Sequence, residues 1–128
     1  MNIRYLPRGD NPAEILTAGT TVAAAAQTAT LAAAEGYRNY LAYVAVTGLG
    51  ATAGSAVDML ITGIAGGTKT VQVGVPAGVT APLNPHILSF PEPIPASADN
   101  TAITVVLPSL GAGNTDACLL VIGYRIPA

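Results

Sequence analysis

The side chains able to do chemistry in this chain are few and widely spaced. Among its 128 residues there is one His, His86, and one Cys, Cys118, and only 9% of the residues are charged. A metal site of the cupin type needs three or four ligands close together, which one His cannot supply. Cys118 lies in an apolar run, Ala117–Val121, which predicts a buried and inert thiol. We therefore predict no metal site, no cofactor and no enzymatic activity, because catalysis needs neighbouring acid, base or nucleophile partners.

The acidic and glycine-rich segments also lack the spacing of a known kind of site. A glycosidase needs two carboxylates that face one sugar, and the chain has no Trp to stack against a sugar ring. The pairs Asp99-Asn100 and Asn114-Asp116 are typical of turns, with a divalent cation in these oxygen-rich loops as the alternative. The glycines of the segment Gly48–Gly54 indicate a hairpin loop, since their spacing differs from that of a dinucleotide-binding motif.

The charge distribution gives no reason to expect nucleic-acid or membrane partners. The net charge is −2, and no cluster of basic residues marks a surface for phosphates. The charge-free stretch Ile15–Ala34 has the length of a membrane span, but its Thr and Gln residues and its Ala-rich apolar content would insert weakly. The five basic residues are scattered over Arg4, Arg8, Arg38, Lys69 and Arg125.

The elements that must position these residues are short alternating segments. Hydrophobic residues make up 51% of the chain, in runs separated by Gly and Pro, and strict alternation is the pattern of a half-buried strand. The first two runs also carry Ala, which favours helix, whereas their Thr content favours strand. The predicted strands are Thr20–Ala26, Thr28–Ala34, Arg38–Thr47, Ser55–Ile64, Lys69–Val75, His86–Phe90, Thr101–Leu107 and Ala117–Ile126.

This pattern predicts an all-β fold, an antiparallel eight-stranded β-sandwich that is jelly-roll-like. Strand starts recur about every 10 to 17 residues, which is the spacing of a sandwich rather than of βαβ units. Residues 15–128 form a single domain in this interpretation, and Met1–Glu14 forms an extended N-terminal arm without periodicity. In the strand Arg38–Thr47 the alternation puts Tyr40 and Tyr43 on opposite faces.

The low charge also predicts an exterior that is largely in contact with other chains. A soluble monomer carries roughly one-quarter to one-third charged residues on its surface, far above the content of this chain. The tripeptide Arg8-Gly9-Asp10 is one that integrins read, but a three-residue match is weak, and we interpret its charges as solvated or as contacts to a neighbouring subunit. The candidate contact residues are Arg4, Tyr5, Arg8, Asp10, Glu14 and Tyr37.

Three segments, Gly36–Leu41, Phe90–Ala96 and Leu107–Asn114, resemble small β-sandwich structural proteins of tailed bacteriophages. That group includes capsid decoration (cement) proteins and head-fibre proteins, and the resemblance covers residues 20–126. It implies a virion protein on the outer capsid surface that binds the major capsid protein as a homo-oligomer, with a trimer favoured. The alternative is a receptor- or glycan-binding module of a fibre or tail tip, with its site on the loops Ala77–Pro85 or Gly111–Asp116.

Overall fold

The chain folds almost entirely into β-strands. The structure is a computed structural model, and it describes residues 14–50, 55–75, 86–111 and 113–128. Within these ranges there is no helix, and so none long and apolar enough to cross a membrane. The all-β prediction is confirmed. The eight strands are β1 (Glu14–Val22), β2 (Gln27–Leu31), β3 (Tyr37–Leu49), β4 (Ser55–Thr62), β5 (Lys69–Val75), β6 (His86–Pro95), β7 (Ile103–Leu107) and β8 (Asp116–Pro127).

The first four strands pair in reverse order with the last four. β1 pairs with β8, β2 with β7, β3 with β6 and β4 with β5, always antiparallel. Two further antiparallel pairings, β3 with β8 and β4 with β7, join these pairs into two four-stranded sheets. Sheet A has the order β1-β8-β3-β6 and sheet B the order β2-β7-β4-β5. Eight antiparallel strands in two such sheets form a jelly roll, so the predicted sandwich architecture is confirmed.

The core lies between the two sheets and follows the alternation seen in the sequence. On β7 the side chains of Ile103, Val105 and Leu107 are fully buried. Leu119 and Val121 of β8 face them from sheet A and are also fully buried. Because successive strand residues point to opposite faces, every second residue of these strands faces outward.

Several strand boundaries differ from the prediction, and the start of β1 and the end of β6 differ most. β1 begins at Glu14, six residues before the predicted start at Thr20, so Glu14 belongs to sheet A and not to the arm. Residues 1–13 of the predicted arm lie outside the described residues. β6 continues to Pro95 instead of ending at Phe90. Proline lacks the N–H that a central strand needs, but β6 is an edge strand with one neighbour, where that loss is tolerated.

A β-bulge in β3 overturns the predicted placement of two tyrosines. Leu41 lies opposite Gly123 of β8, whereas Tyr43 lies opposite Ile122, so β3 has one extra residue between them. The extra residue reverses the alternation, and Tyr40 and Tyr43 therefore share the outer face of sheet A. Tyr40 stacks on Tyr124 there, with ring centroids 5.2 Å apart and an interplanar angle of 9°.

Two buried amide side chains connect the sheets and strands. The Nε2 atom of Gln27 donates to the carbonyl of Ala117 at 3.1 Å, and its Oε1 atom accepts from the Thr20 hydroxyl, which ties β2 of sheet B to sheet A. Asn39 of β3 donates from Nδ2 to the carbonyls of Leu31 and Ala32, at 3.0 and 2.9 Å. These bonds satisfy carbonyl groups where β2 ends, which a buried backbone requires.

Candidate functional site

The outer face of sheet A carries four rows of paired side chains without charge, which we call the uncharged face. Residues that are paired directly across a sheet share a face, so the strand registers define this surface. Its side chains are apolar, aromatic or small and hydroxylated. They form four rows: Ile15–Tyr124–Tyr40–Pro95, Thr17–Ile122–Tyr43–Ser89, Gly19–Leu120–Ala45–Ile87 and Thr21–Cys118–Thr47.

Three large aliphatic side chains on the uncharged face are open to solvent. Ile15 is 61% exposed, Ile87 51% and Leu120 37%. Leu120 lies between Gly19 and Ala45 in its row, and these small neighbours leave its side chain uncovered. Four strands about 4.8 Å apart and six residues long give the face roughly 400 Å². The largest exposed apolar patch of a typical soluble monomer covers about 300 to 600 Å² and is often a functional surface.

Charged residues lie next to the four rows of the uncharged face, including exposed Glu92 in the irregular part of β6 between Ser89 and Pro95. At the end where β3 begins, Arg38 pairs with Asp99, with Nε and Oδ1 2.8 Å apart. At the opposite end Asp116 opens β8 and is exposed. An apolar centre with a polar rim is the usual anatomy of a protein–protein interface.

Arg125 of β8 brings two of the predicted contact residues together. Its guanidinium donates from Nε and Nη2 to the two carboxylate oxygens of Glu14, at 3.1 and 3.2 Å. The same guanidinium carbon lies 5.0 Å from the centre of the Tyr37 ring, within the range of a cation–π contact. Glu14 and Tyr37 are thus positioned at the end of sheet A where the N-terminal segment joins it. The other predicted contact residues, Arg4, Tyr5, Arg8 and Asp10, lie outside the described residues.

Cys118 is exposed, so the predicted burial of its thiol is wrong. It lies on β8 between the buried residues Ala117 and Leu119, and strand alternation turns it to the uncharged face. The apolar run around Cys118 suggests burial, but from Asp116 to Val121 only every second residue of β8 faces the core.

The loop 111–116, one of the two predicted recognition loops, is organised around the buried side chain of Asn114. Its Nδ2 atom donates to the carbonyls of Leu49 and Asp116 at 3.0 and 2.7 Å, and its Oδ1 atom accepts from the amide of Ala24 at 3.0 Å. Asn114 therefore holds three chain connections together and is not free to bind a ligand. The other predicted loop, Ala77–Pro85, lies outside the described residues.

The ionisable and metal-binding side chains of the described residues are spread over the sandwich. Among them, no group of three His, Cys, Asp or Glu residues is close enough to hold a metal ion. The ring of His86 contacts the carbonyl of Gly74 at 3.3 Å, an ordinary hydrogen bond at the start of β6.

The residues of the uncharged face were not singled out from the sequence, although one signal was present. Leu119 and Leu120 are consecutive in a predicted strand, so one of them had to face away from the core. The sequence does not state which of the two is outside, because both outcomes have the same period. Comparisons with protein-family models, with curated proteins and with solved structures find no match for this chain.

Proposed function

We propose that this chain is a non-enzymatic structural subunit of a bacteriophage virion, which binds the outer capsid surface as an oligomer and stabilises the shell. The observation that carries the proposal is the uncharged face, with Ile15, Leu120 and Ile87 open to solvent at its edges and centre. The uncharged face fits a partner whose own surface is rigid and uncharged, because a charge of the partner buried there without a pair would be costly. The major capsid protein is the partner that the phage resemblance implies.

The size of the uncharged face favours binding by many copies. Roughly 400 Å² is about half of the 800 Å² that each partner contributes to a standard interface. One subunit alone would therefore bind weakly, and stable attachment needs further contacts in the same assembly. Linked contacts raise the overall affinity through effective concentration without any new type of interaction.

The N-terminal segment is the source of a second contact in this proposal. Glu14 is held by Arg125 at the end of sheet A, and residues 1–13 precede it in the chain. From there Arg4, Tyr5, Arg8 and Asp10 would reach a neighbouring subunit. Adding a strand to a neighbour's sheet edge is one physical way to do so.

A receptor- or glycan-binding module is the second candidate, and the outer face of sheet B favours it. Thr30, Thr104 and Thr62 lie side by side on β2, β7 and β4, and their hydroxyls form a polar row. Sugar binding also uses an aromatic stacking surface, which this face lacks in the described residues. Their aromatic side chains, Tyr37, Tyr40, Tyr43, Phe90 and Tyr124, all belong to strands of sheet A.

A matched pair of substitutions tests the capsid-binding role. Leu120 on the uncharged face and Leu60 on the outer face of sheet B are both 37% exposed, so Leu120→Glu and Leu60→Glu add the same charge at equal exposure. We expect Leu120→Glu to weaken binding to purified phage particles about tenfold or more, because a buried unpaired carboxylate opposes the contact. Leu60→Glu should bind like the unchanged protein. Co-sedimentation with particles, quantified by mass spectrometry, measures both.

The copy number on particles distinguishes the two candidates. A fixed, high copy number relative to the shell protein supports the decoration role, whereas trace amounts indicate a fibre or tip module. Recovery in the soluble fraction only, or equal binding of both Glu variants, would contradict the proposed role of the uncharged face. Binding to a glycan or receptor that Leu60→Glu abolishes would favour sheet B instead.

A further inference from the structure

Among the described residues, the edge of β1 lacks the features by which the other three sheet edges resist pairing with another chain. The jelly roll leaves four edge strands: β1 and β6 in sheet A, and β2 and β5 in sheet B. Natural edges avoid pairing with other chains by being short or by carrying Pro, Lys or a bulge. β6 carries Pro91, Pro93 and Pro95 and an irregular register against β3, β5 begins with Lys69, and β2 has five residues.

β1 has none of these features over its nine residues. It contains no Pro, Lys or Arg, and its one charge, Glu14, is at its first position. All nine residues are in continuous register with β8, so the strand is regular along its whole length. Every second residue of a paired strand directs its N–H and C=O groups away from the neighbour, and in the described part of the chain no strand meets these groups on β1.

We infer that β1 pairs antiparallel with β1 of a second copy of this chain, which joins two copies of sheet A into one continuous eight-stranded sheet. Pairing all nine residues of both strands places Ala18 opposite its own copy, Thr17 opposite Gly19 and Ile15 opposite Thr21 of the second copy. This register keeps inner residues with inner residues and outer with outer, because the paired positions have the same parity. The two uncharged faces then lie side by side on one surface.

The position of Glu14 on β1 favours the antiparallel arrangement, and the uncharged remainder of the strand fits a second copy of β1. In the antiparallel pair the two Glu14 carboxylates lie at opposite ends, about 27 Å apart for eight steps along a strand. In a parallel pair they would be adjacent, and like charges directly opposite destabilise a sheet. The exposed Ile15 and the threonines of β1 find uncharged partners on the second copy. This two-fold pairing predicts a dimer, in contrast to the trimer that the phage resemblance implies.

The inference does not depend on the virion role, and it is tested in solution with the full chain. Sedimentation across a concentration series should show a monomer–dimer equilibrium. Thr17→Lys with Thr21→Lys places four like charges across the two-fold axis and should raise the dissociation constant at least about tenfold. Thr70→Lys with Gln72→Lys, exposed positions on the distant edge strand β5, should leave the dissociation constant unchanged. Thr17→Lys alone serves if the double variant fails to fold, as judged by far-UV circular dichroism.

Hydrogen exchange supplies the second measurement, because it reports on the backbone of β1 directly. Alternate amides between Ile15 and Thr21 should exchange slowly at high protein concentration and rapidly on dilution. A monomer at every concentration, a trimer, or a dimer that the β5 variant dissociates and the β1 variant does not, would each overturn the inference. So would slow exchange of the same amides in a monomer, since residues 1–13 of the same chain would then cover the edge. The particle-binding test of Leu120→Glu is read separately, so the two proposals fail independently.

Discussion

At the scale of single residues, Asn114 shows how one amide can organise an end of the sandwich. Its side chain bonds to Ala24 between β1 and β2, to Leu49 at the end of β3 and to Asp116 at the start of β8. The sequence predicted Asn114 as a turn former that bonds its own backbone, and the bond to Asp116 agrees with that. Its bonds to Ala24 and Leu49 join residues far apart in sequence, and these long-range contacts could not be read from local spacing.

We expect Asn114→Ala to lower the free energy of unfolding by about 2 to 3 kcal/mol, because it leaves buried backbone groups without partners. Urea denaturation measures this change. Thr115→Ala, at the exposed neighbouring position, should change the stability by less than about 0.5 kcal/mol. If both variants are equally stable, the loop connections do not depend on the Asn114 side chain.

Cys118 and Leu120 are further residues whose exposure follows from strand alternation in the folded chain. Both belong to an apolar run of β8, and both are on the outer face of sheet A. A run of consecutive apolar residues in a strand necessarily supplies side chains to both faces. Its outward half makes an interaction surface only if nothing in the same chain covers it, and that is a property of the whole fold.

At the scale of elements, the bulge in β3 decides how closely β3 and β8 approach. Opposite the bulge, Gly123 of β8 lies so near β3 that a Cβ atom there would overlap the carbonyl oxygen of Tyr40. The same Cβ would be 2.7 Å from Cδ1 of Leu31, which belongs to sheet B. Gly123 is thus required where two strands of sheet A and one of sheet B come together.

We expect Gly123→Ala to lower the free energy of unfolding by about 3 kcal/mol, since neither backbone nor core can move aside without strain. Gly19→Ala on β1 is the control, because its Cβ would meet only ordinary contacts at 3.7 and 3.8 Å. That variant should unfold within about 0.5 kcal/mol of the unchanged protein. Thermal or urea denaturation distinguishes the two, and equal stability of both variants would contradict the close approach at Gly123.

The ends of the edge strands β1 and β6 can be explained from the sequence only once the sheet topology is known. Pro91, Pro93 and Pro95 predict the end of a strand at Phe90, because a central strand needs the N–H groups that proline lacks. In the jelly roll, β6 has one neighbour, and the same prolines remove N–H donors from a strand at the sheet edge. β1 was predicted to start later than it does, because its first residues lack strong alternation and gain order from pairing with β8.

At the scale of the whole molecule, the two ion pairs lie at one end of the sandwich. The ion pairs Glu14–Arg125 and Arg38–Asp99 both lie at the end of the sandwich where β1 begins and β8 ends. Such exposed pairs contribute about 0 to 1 kcal/mol each, so they position groups more than they stabilise the fold. The composition predicts an exterior in contact with other chains, and in our proposal the uncharged face is one such contact surface.

Deletion of residues 1–13 tests how far the domain and the N-terminal segment act separately. The buried core cluster runs from Ala29 to Val121, so the shortened chain should unfold within about 0.5 kcal/mol of the full chain. Its binding to particles should weaken about tenfold or more if the segment supplies a second contact. Denaturation and co-sedimentation measure the two effects. Unfolding of the shortened chain, or unchanged particle binding, would contradict the proposed role of the segment.

The sequence by itself determined the strand content, the scarcity of catalytic groups and the low charge of the surface. These follow from local period and composition, which need no knowledge of partners: alternating residues such as Ile103, Val105 and Leu107 share one face in any sheet. The tertiary structure alone decided that Leu119 is buried and Leu120 exposed, and that Arg125 joins Glu14 to Tyr37. Strand pairing and sheet stacking bring together residues from opposite ends of the chain, which local sequence does not show. Alternation with a period of two indicates that a strand has two faces, but it does not indicate which face meets the core.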